Sequence, residues 1–165
     1  MIQTRSFLLV CLGNICRSPL AEAALRAAAA RAGVDIEVDS AGTGAWHVGD
    51  PPDRRAQAVA LAHGIDISRY RGRQVAAADF WRFTDILALD RDNLAELRRR
   101  APADATARIG LLLDVLPGRE GAAVADPYYG DAAGFDVTWA DVSAAAEAIV
   151  AGLVPDRRSR GGGNP

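Results

Sequence analysis

With 165 residues, half of them hydrophobic, and a formal net charge of −2, the chain can bury one self-sufficient core and lacks the positive charge of a nucleic-acid or membrane-surface binder. Its two cysteines stand in one short stretch and cannot staple distant segments, which fits a reducing compartment and a cytoplasmic location. The apolar run after Met1–Arg5 is too short for a signal peptide, and no segment approaches the roughly 20 apolar residues that span a bilayer.

Ser6–Val10 is apolar on both faces and reads as a buried parallel strand. A loop, Cys11–Ser18, follows it. A helix is predicted from Pro19 to Arg31, rich in alanine and stopped at Gly33. Val34–Val38 alternates like a second strand and leads into a turn at Asp39-Ser40-Ala41-Gly42-Thr43. A polar loop then carries Trp46, and Pro51-Pro52-Asp53 opens a helix that ends at Gly64. Ser68–Asp79, with Arg69, Arg71 and Arg73, reads as a surface connection. Thr84–Leu89 is the third strand, and Asp90 is placed to cap a helix over Arg91–Arg100 that Pro102 cuts off. Arg98-Arg99-Arg100 reads as a solvated helix end favoured by the dipole. Ala107–Leu113 is the fourth strand, and a loop punctuated by Gly and Pro leads to Asp126. Phe135, Trp139, Val142, Ala146, Ile149 and Leu153 recur at helical spacing and mark the buried face of a last helix. The expected organisation is one domain over residues 1–154 and a disordered, Arg/Gly-rich tail over 155–165.

Strands that alternate with helices predict an α/β domain, a four-stranded parallel sheet with helices on both faces. Ligands of such sheets bind beyond the carboxyl ends of the strands. The loops after strands one, two and four all leave at that edge, so Cys11–Ser18, Ser40–Trp46 and Asp126 are expected to converge.

The first loop has a chemistry of its own. Successive backbone N–H groups of Leu12, Gly13, Asn14, Ile15, Cys16 and Ser18, aimed inward at a helix start, make a cradle for a tetrahedral oxyanion. Arg17 can add two parallel charge-assisted hydrogen bonds. The same field favours a thiolate on Cys11 and makes it a nucleophile. Asn14 is one of the few non-glycine residues that tolerates a left-handed backbone, and the Ser18 hydroxyl can donate to the sulfur. Asp126, followed by Pro127 and two tyrosines that could partly desolvate it, is a candidate general acid, although spacing alone favours an ordinary Asp-Pro turn. Two histidines and two loop cysteines match no metal-ligand spacing, and neither His47 nor His63 sits in a cysteine-protease signature. No metal or cofactor is expected.

The string CLGNICRSP, followed by Leu20-Ala21-Glu22, resembles the phosphate-binding loop of the low-molecular-weight protein tyrosine phosphatases. Asp39–Thr43, Trp46–Asp53 and Asp126–Gly130 resemble later segments of that family in the same order, over roughly Phe7 to Leu153. The resemblance implies a flavodoxin-like fold and metal-independent hydrolysis of phosphotyrosine in two displacements through a phosphocysteine on Cys11. In that scheme Arg17 holds the phosphoryl group and Asp126 serves as acid and then base. It implies that Ser40 braces Asn14 and that Trp46, Tyr128 and Tyr129 wall a deep substrate cleft with Leu12. It also implies substrates that are tyrosine-phosphorylated proteins, an opposing tyrosine kinase, and a monomer. The family often braces the loop asparagine with a histidine near position 70, where this chain has Arg69 and Tyr70. Cys16 can serve as a disulfide partner that protects Cys11, or as a small apolar filler.

Three other readings compete with this one. An arsenate reductase on the same fold needs further cysteines outside the loop, which this chain lacks. A phosphoarginine phosphatase carries a small polar residue where Ile15 stands. A binding module for phosphotyrosine would need Arg17 but not both Cys11 and Asp126.

Overall fold

The computed structural model describes residues 4–154; the predicted tail over 155–165 lies outside them. The sheet has four strands, β1 (Ser6–Cys11), β2 (Glu37–Gly42), β3 (Asp85–Ala88) and β4 (Arg108–Leu111), all parallel and ordered β2-β1-β3-β4. Central β1 is buried along its whole length. Phe7, Leu9 and Cys11 face one apolar layer, and Leu8 and Val10 face the other. Helices α1 (Arg17–Ala32), α2 (Arg54–Ala62) and α5 (Ala132–Leu153) cover the first face, and α3 (Asp79–Arg82) and α4 (Arg91–Arg100) cover the second. The predicted α/β sheet with helices on both faces is thus the observed one. Among the described residues, no helix is long and apolar enough to cross a membrane.

Local signals set most boundaries. Asp53 caps α2 by accepting from the Arg55 N–H (2.8 Å), and Asp90 caps α4 by accepting from Asn93 N–H (2.7 Å). The expected stripe of α5 is buried from Phe135 to Val150, with Leu153 half-buried at its end. The fourth strand is shorter than expected: Leu112–Val115 winds into a 3₁₀ turn.

Two expectations are corrected. The second strand lies at Glu37–Gly42, not Val34–Val38, so Asp39-Ser40-Ala41-Gly42 is strand and not turn. Gly33 adopts a left-handed conformation (φ 68°) and Val34 N–H donates to Ala29 C=O (2.9 Å). Val34 therefore finishes the cap of α1 and is used up before the strand begins. Small residues end β2 because the Cys11–Ser18 loop lies directly on it: a Cβ on Gly42 would stand 2.8 Å from Leu12 O. The second correction concerns Ser68–Asp79, which is no mere surface connection. Gly72, Val75 and Asp79 are buried, and the segment pairs with Gly42 through Gly42 N–H to Arg73 O and Val75 N–H to Gly42 O, both 2.8 Å.

Candidate active site

The carboxyl ends of β1 and β2 and the loop after β4 meet at one cleft of about 390 Å³, lined by the loop residues Cys11, Leu12, Gly13, Ile15, Cys16 and Arg17. Its other walls are Trp46 and His47 from the loop after β2, and Asp126, Tyr128 and Tyr129 from the loop before α5. Asn14, Ser18 and Ser40, which the sequence also singles out, lie buried behind that lining.

Cys11 is 3% exposed at the floor, where β1 stops and the chain must turn. Its sulfur accepts from the Asn14 N–H (3.3 Å) and stands 3.0 Å from Ser18 Oγ. Asn14 Nδ2 donates both to Ser18 Oγ (2.8 Å) and to Ser40 Oγ (3.0 Å). Ser40 Oγ in turn meets Glu22 Oε1 at 2.7 Å, and Glu22 is held by Arg26. Ser18 Oγ thus accepts from Asn14 and keeps its own proton free for the sulfur at 3.0 Å or for Ala41 O, farther off at 3.5 Å. The Asn14 N–H donates to Cys11 and the Ser18 hydroxyl can do so as well, an arrangement that suits a negatively charged sulfur. Burial pushes the Glu22 carboxyl up, against the hydrogen bond from Ser40 and the charge of Arg26.

The loop geometry rests on Asn14, the one non-glycine residue with positive φ (58°) among those described. Its Oδ1 accepts from the Arg73 N–H at 2.9 Å. The brace that the family often takes from a histidine is thus supplied here by a backbone N–H, and Arg73 is fixed in turn by ion pairs to Asp39 and Asp79, both 3.0 Å. Gly13 lies under His47: a Cβ there would stand 3.2 Å from His47 Cδ2. The first-turn N–H groups of α1 have no acceptor within the helix, and among the described residues no side chain caps them.

Arg17 is 3% exposed. Its Nη1 donates to Asp90 Oδ2 (2.7 Å) and Val124 O (3.0 Å), and its Nη2 stands 3.6 Å from Asp126 Oδ2. Burial works against its charge, but the fields of Cys11 and then Asp90 outweigh it and raise its pKa. Cys16 is a different kind of cysteine. It is buried, and desolvation, followed by the field of Asp53, pushes its thiol far up, so it stays protonated. Both cysteines are free.

Asp126 has a 41% exposed side chain, so the flanking tyrosines do not desolvate it as expected from the sequence. Its Oδ1 accepts from the Tyr128 N–H (3.1 Å), which turns the other oxygen toward Arg17. Tyr129 is 93% and Trp46 72% exposed, so they stand at the mouth, while Leu12, at 45%, is half-open beside them.

Sequence reading missed several participants. Asp90 was visible only as a helix cap, yet its second oxygen anchors Arg17. Glu22 could have been found, because it lies one turn after Ser18 on the same face of α1. Arg73 acts through a backbone N–H, which no side-chain identity announces. The dual role of Asp90 predicts a separation of effects: Asp90→Asn keeps a capping oxygen but removes the charge from Arg17. The expected result is a thermal midpoint close to that of the unchanged protein and at least about threefold tighter binding of inorganic phosphate by calorimetry, because the Arg17 charge is no longer shared with that carboxylate. Equal phosphate affinity would remove Asp90 from the site.

The sequence matches the family model described as "Low molecular weight phosphotyrosine protein phosphatase" over residues 6–159. It is 44% identical over 126 residues to the Bacillus subtilis low molecular weight protein-tyrosine-phosphatase YfkJ, covering 75% of this chain and 81% of that one. It is 40% identical over 140 residues to the Homo sapiens low molecular weight phosphotyrosine protein phosphatase, covering 82% of this chain and 87% of the human one. Among solved structures, DARP, a Drosophila arginine phosphatase, superposes with a TM-score of 0.85 at 34% identity, covering 91% of this chain and 98% of that chain.

Proposed function

The chain belongs to the low molecular weight phosphotyrosine protein phosphatase family, and from that membership we propose that it hydrolyses phosphotyrosine in proteins through a phosphocysteine on Cys11. The observation that carries the proposal is the meeting of Cys11, Arg17 and Asp126 in one cleft, with the Asn14 N–H donating to the sulfur and the Ser18 hydroxyl beside it.

In the first step the Cys11 sulfur attacks phosphorus in line with the leaving tyrosine oxygen. The S–P bond forms as the P–O bond breaks, and Asp126 passes its proton to the departing phenolate. Arg17 and the amides of residues 12–18 hold the equatorial oxygens, where transition-state charge is spread. In the second step water attacks phosphorus, Asp126 takes a proton from it, and the S–P electron pair returns to sulfur. The positive charge that phosphoryl transfer requires comes from Arg17 and the backbone, so the reaction proceeds without a metal. Trp46, Tyr128 and Tyr129 would flank the phenyl ring. Two free thiols suit action in the reducing cytoplasm.

The likeness to an arginine phosphatase raises phosphoarginine as a second substrate class. Ile15, 9% exposed and part of the cleft lining, stands against it: an apolar branched side chain packs on a phenyl ring but offers no acceptor to a guanidinium. The test is release of phosphate from matched phosphotyrosine, phosphoserine and phosphoarginine peptides with chelator present. Turnover of phosphotyrosine alone is expected. Preference for phosphoarginine would transfer the chain to the second class, and tight binding of phosphotyrosine without release would make it a binding module.

A further inference from the structure

Arg55, near the start of α2, has no part in the chemistry above, yet its guanidinium spans two of the loops that form the cleft. Nε and Nη2 grip the two oxygens of Asp53 (3.1 and 3.0 Å), while Nη1 donates to Gly130 O (3.0 Å) and Nη2 to Tyr128 O (2.9 Å). Its plane lies 4.6 Å from the centre of the Phe135 ring and 5.8 Å from that of Tyr128. Asp53 is tied to the nucleophile loop in turn, for its N–H donates to Ile15 O at 2.8 Å. A continuous path therefore runs from the nucleophile loop through Asp53 and Arg55 to the backbone on either side of Tyr129. Among the described residues, Arg55 is the one side chain from outside the Asp126–Gly130 loop that donates to that loop's carbonyls.

We propose that Arg55 is a positioning residue that holds the Asp126 loop in register with Cys11, so that the general acid stands opposite the nucleophile. The proposal rests on the phosphatase reading of the same site. The geometry gives the reason. Asp126 is half-exposed and its carboxyl has no neutral hydrogen-bond partner apart from the Tyr128 N–H of its own turn. Its ion pair to Arg17, at 3.6 Å, is long and competes with the substrate phosphate for the same guanidinium. Once phosphate takes Arg17, the grip on Tyr128 O and Gly130 O is what keeps the turn in place. Arginine suits this task because a planar fork serves a carboxylate with one edge and carbonyls with the other, which a lysine ammonium cannot do at once.

The experiment compares Arg55→Met, which keeps an apolar stem over Phe135, and Arg55→Lys with the unchanged enzyme. The readouts are kcat/KM on a phosphotyrosine peptide and on para-nitrophenyl phosphate, whose leaving group needs little protonation, together with the pH profile of the peptide reaction and inhibition by inorganic phosphate. Arg55→Met is expected to lose about 10- to 100-fold in kcat/KM on the peptide and less than about threefold on the nitrophenyl ester. The limb of the pH profile that reports the acid should flatten, and phosphate inhibition should stay within about twofold. Arg55→Lys should recover part of the peptide activity. Equal losses on both substrates, or no loss on either, would overturn the positioning role while leaving the phosphatase reading intact. An unchanged enzyme inert on both substrates would instead sink that reading.

Discussion

Cys11→Ser is expected to abolish turnover of a phosphotyrosine peptide, by at least about 10⁴-fold, while leaving the affinity for inorganic phosphate within about threefold. Asn14 N–H donates to the Cys11 sulfur and the Ser18 hydroxyl stands 3.0 Å away, and among the described residues no carboxylate or imidazole hydrogen-bonds to it. A serine hydroxyl in that place would have to shed its own proton before attacking. The neighbours that serve a large, polarisable sulfur at 3.0 and 3.3 Å would meet a smaller oxygen at poorer distances. In the proposed scheme phosphate is held by different groups, the Arg17 guanidinium and the amides of residues 12–18, so binding should survive. Rapid-quench trapping supplies the check: the unchanged enzyme should hold acid-labile phosphate on Cys11 and the variant none. Residual turnover within about tenfold of the unchanged enzyme would mean that another group makes the bond to phosphorus, and the phosphocysteine scheme would be wrong.

What could be read from the sequence depended on how local each signal was. The strand, loop and helix around Cys11 were legible because an apolar run, a left-handed Asn14 and a proline in the first helical turn all act within their own neighbourhood. The helix start at Pro51-Pro52-Asp53, the cap at Asp90 and the stop at Gly33 were legible for the same reason. The start of β2 was misplaced because Val34-Asp35-Ile36 alternates convincingly, and only the closing of α1 on Val34 shows that the alternation belongs to a cap. Within the site, residue types named the groups that line the cleft, but not those that hold these groups. Asp90 has one oxygen for its own helix and one for an arginine 73 positions earlier. Arg73 reaches Asn14 through its backbone, 59 positions away, and its guanidinium explains why a basic residue stands in what looked like a loop. Such second contacts exist only once the sheet order is known, because β1 and β3 must lie side by side before Asp90 comes near Arg17.

Asp126→Ala is expected to lower kcat/KM on a phosphotyrosine peptide by about 10²- to 10⁴-fold, the usual worth of a positioned general acid. The loss should depend on the leaving group. Tyrosine departs as a poor phenolate unless it is protonated, whereas para-nitrophenolate leaves readily, so kcat/KM on the nitrophenyl ester should fall by less than about tenfold. The value of kcat on that ester should fall further than kcat/KM does, because kcat includes hydrolysis of the phosphocysteine, where the same carboxylate activates water. Accumulation of the covalent intermediate should therefore be greater in the variant. Electrostatics pulls the other way: removing the carboxylate 3.6 Å from Arg17 Nη2 frees that guanidinium and strengthens binding of phosphate. Weaker catalysis joined to tighter product binding separates an acid from a merely structural aspartate, whose removal would weaken both. A plot of log kcat/KM against leaving-group pKa for a series of aryl phosphates makes the decision. The unchanged enzyme should give a shallow slope and the variant a steep one; parallel lines would take the proton away from Asp126.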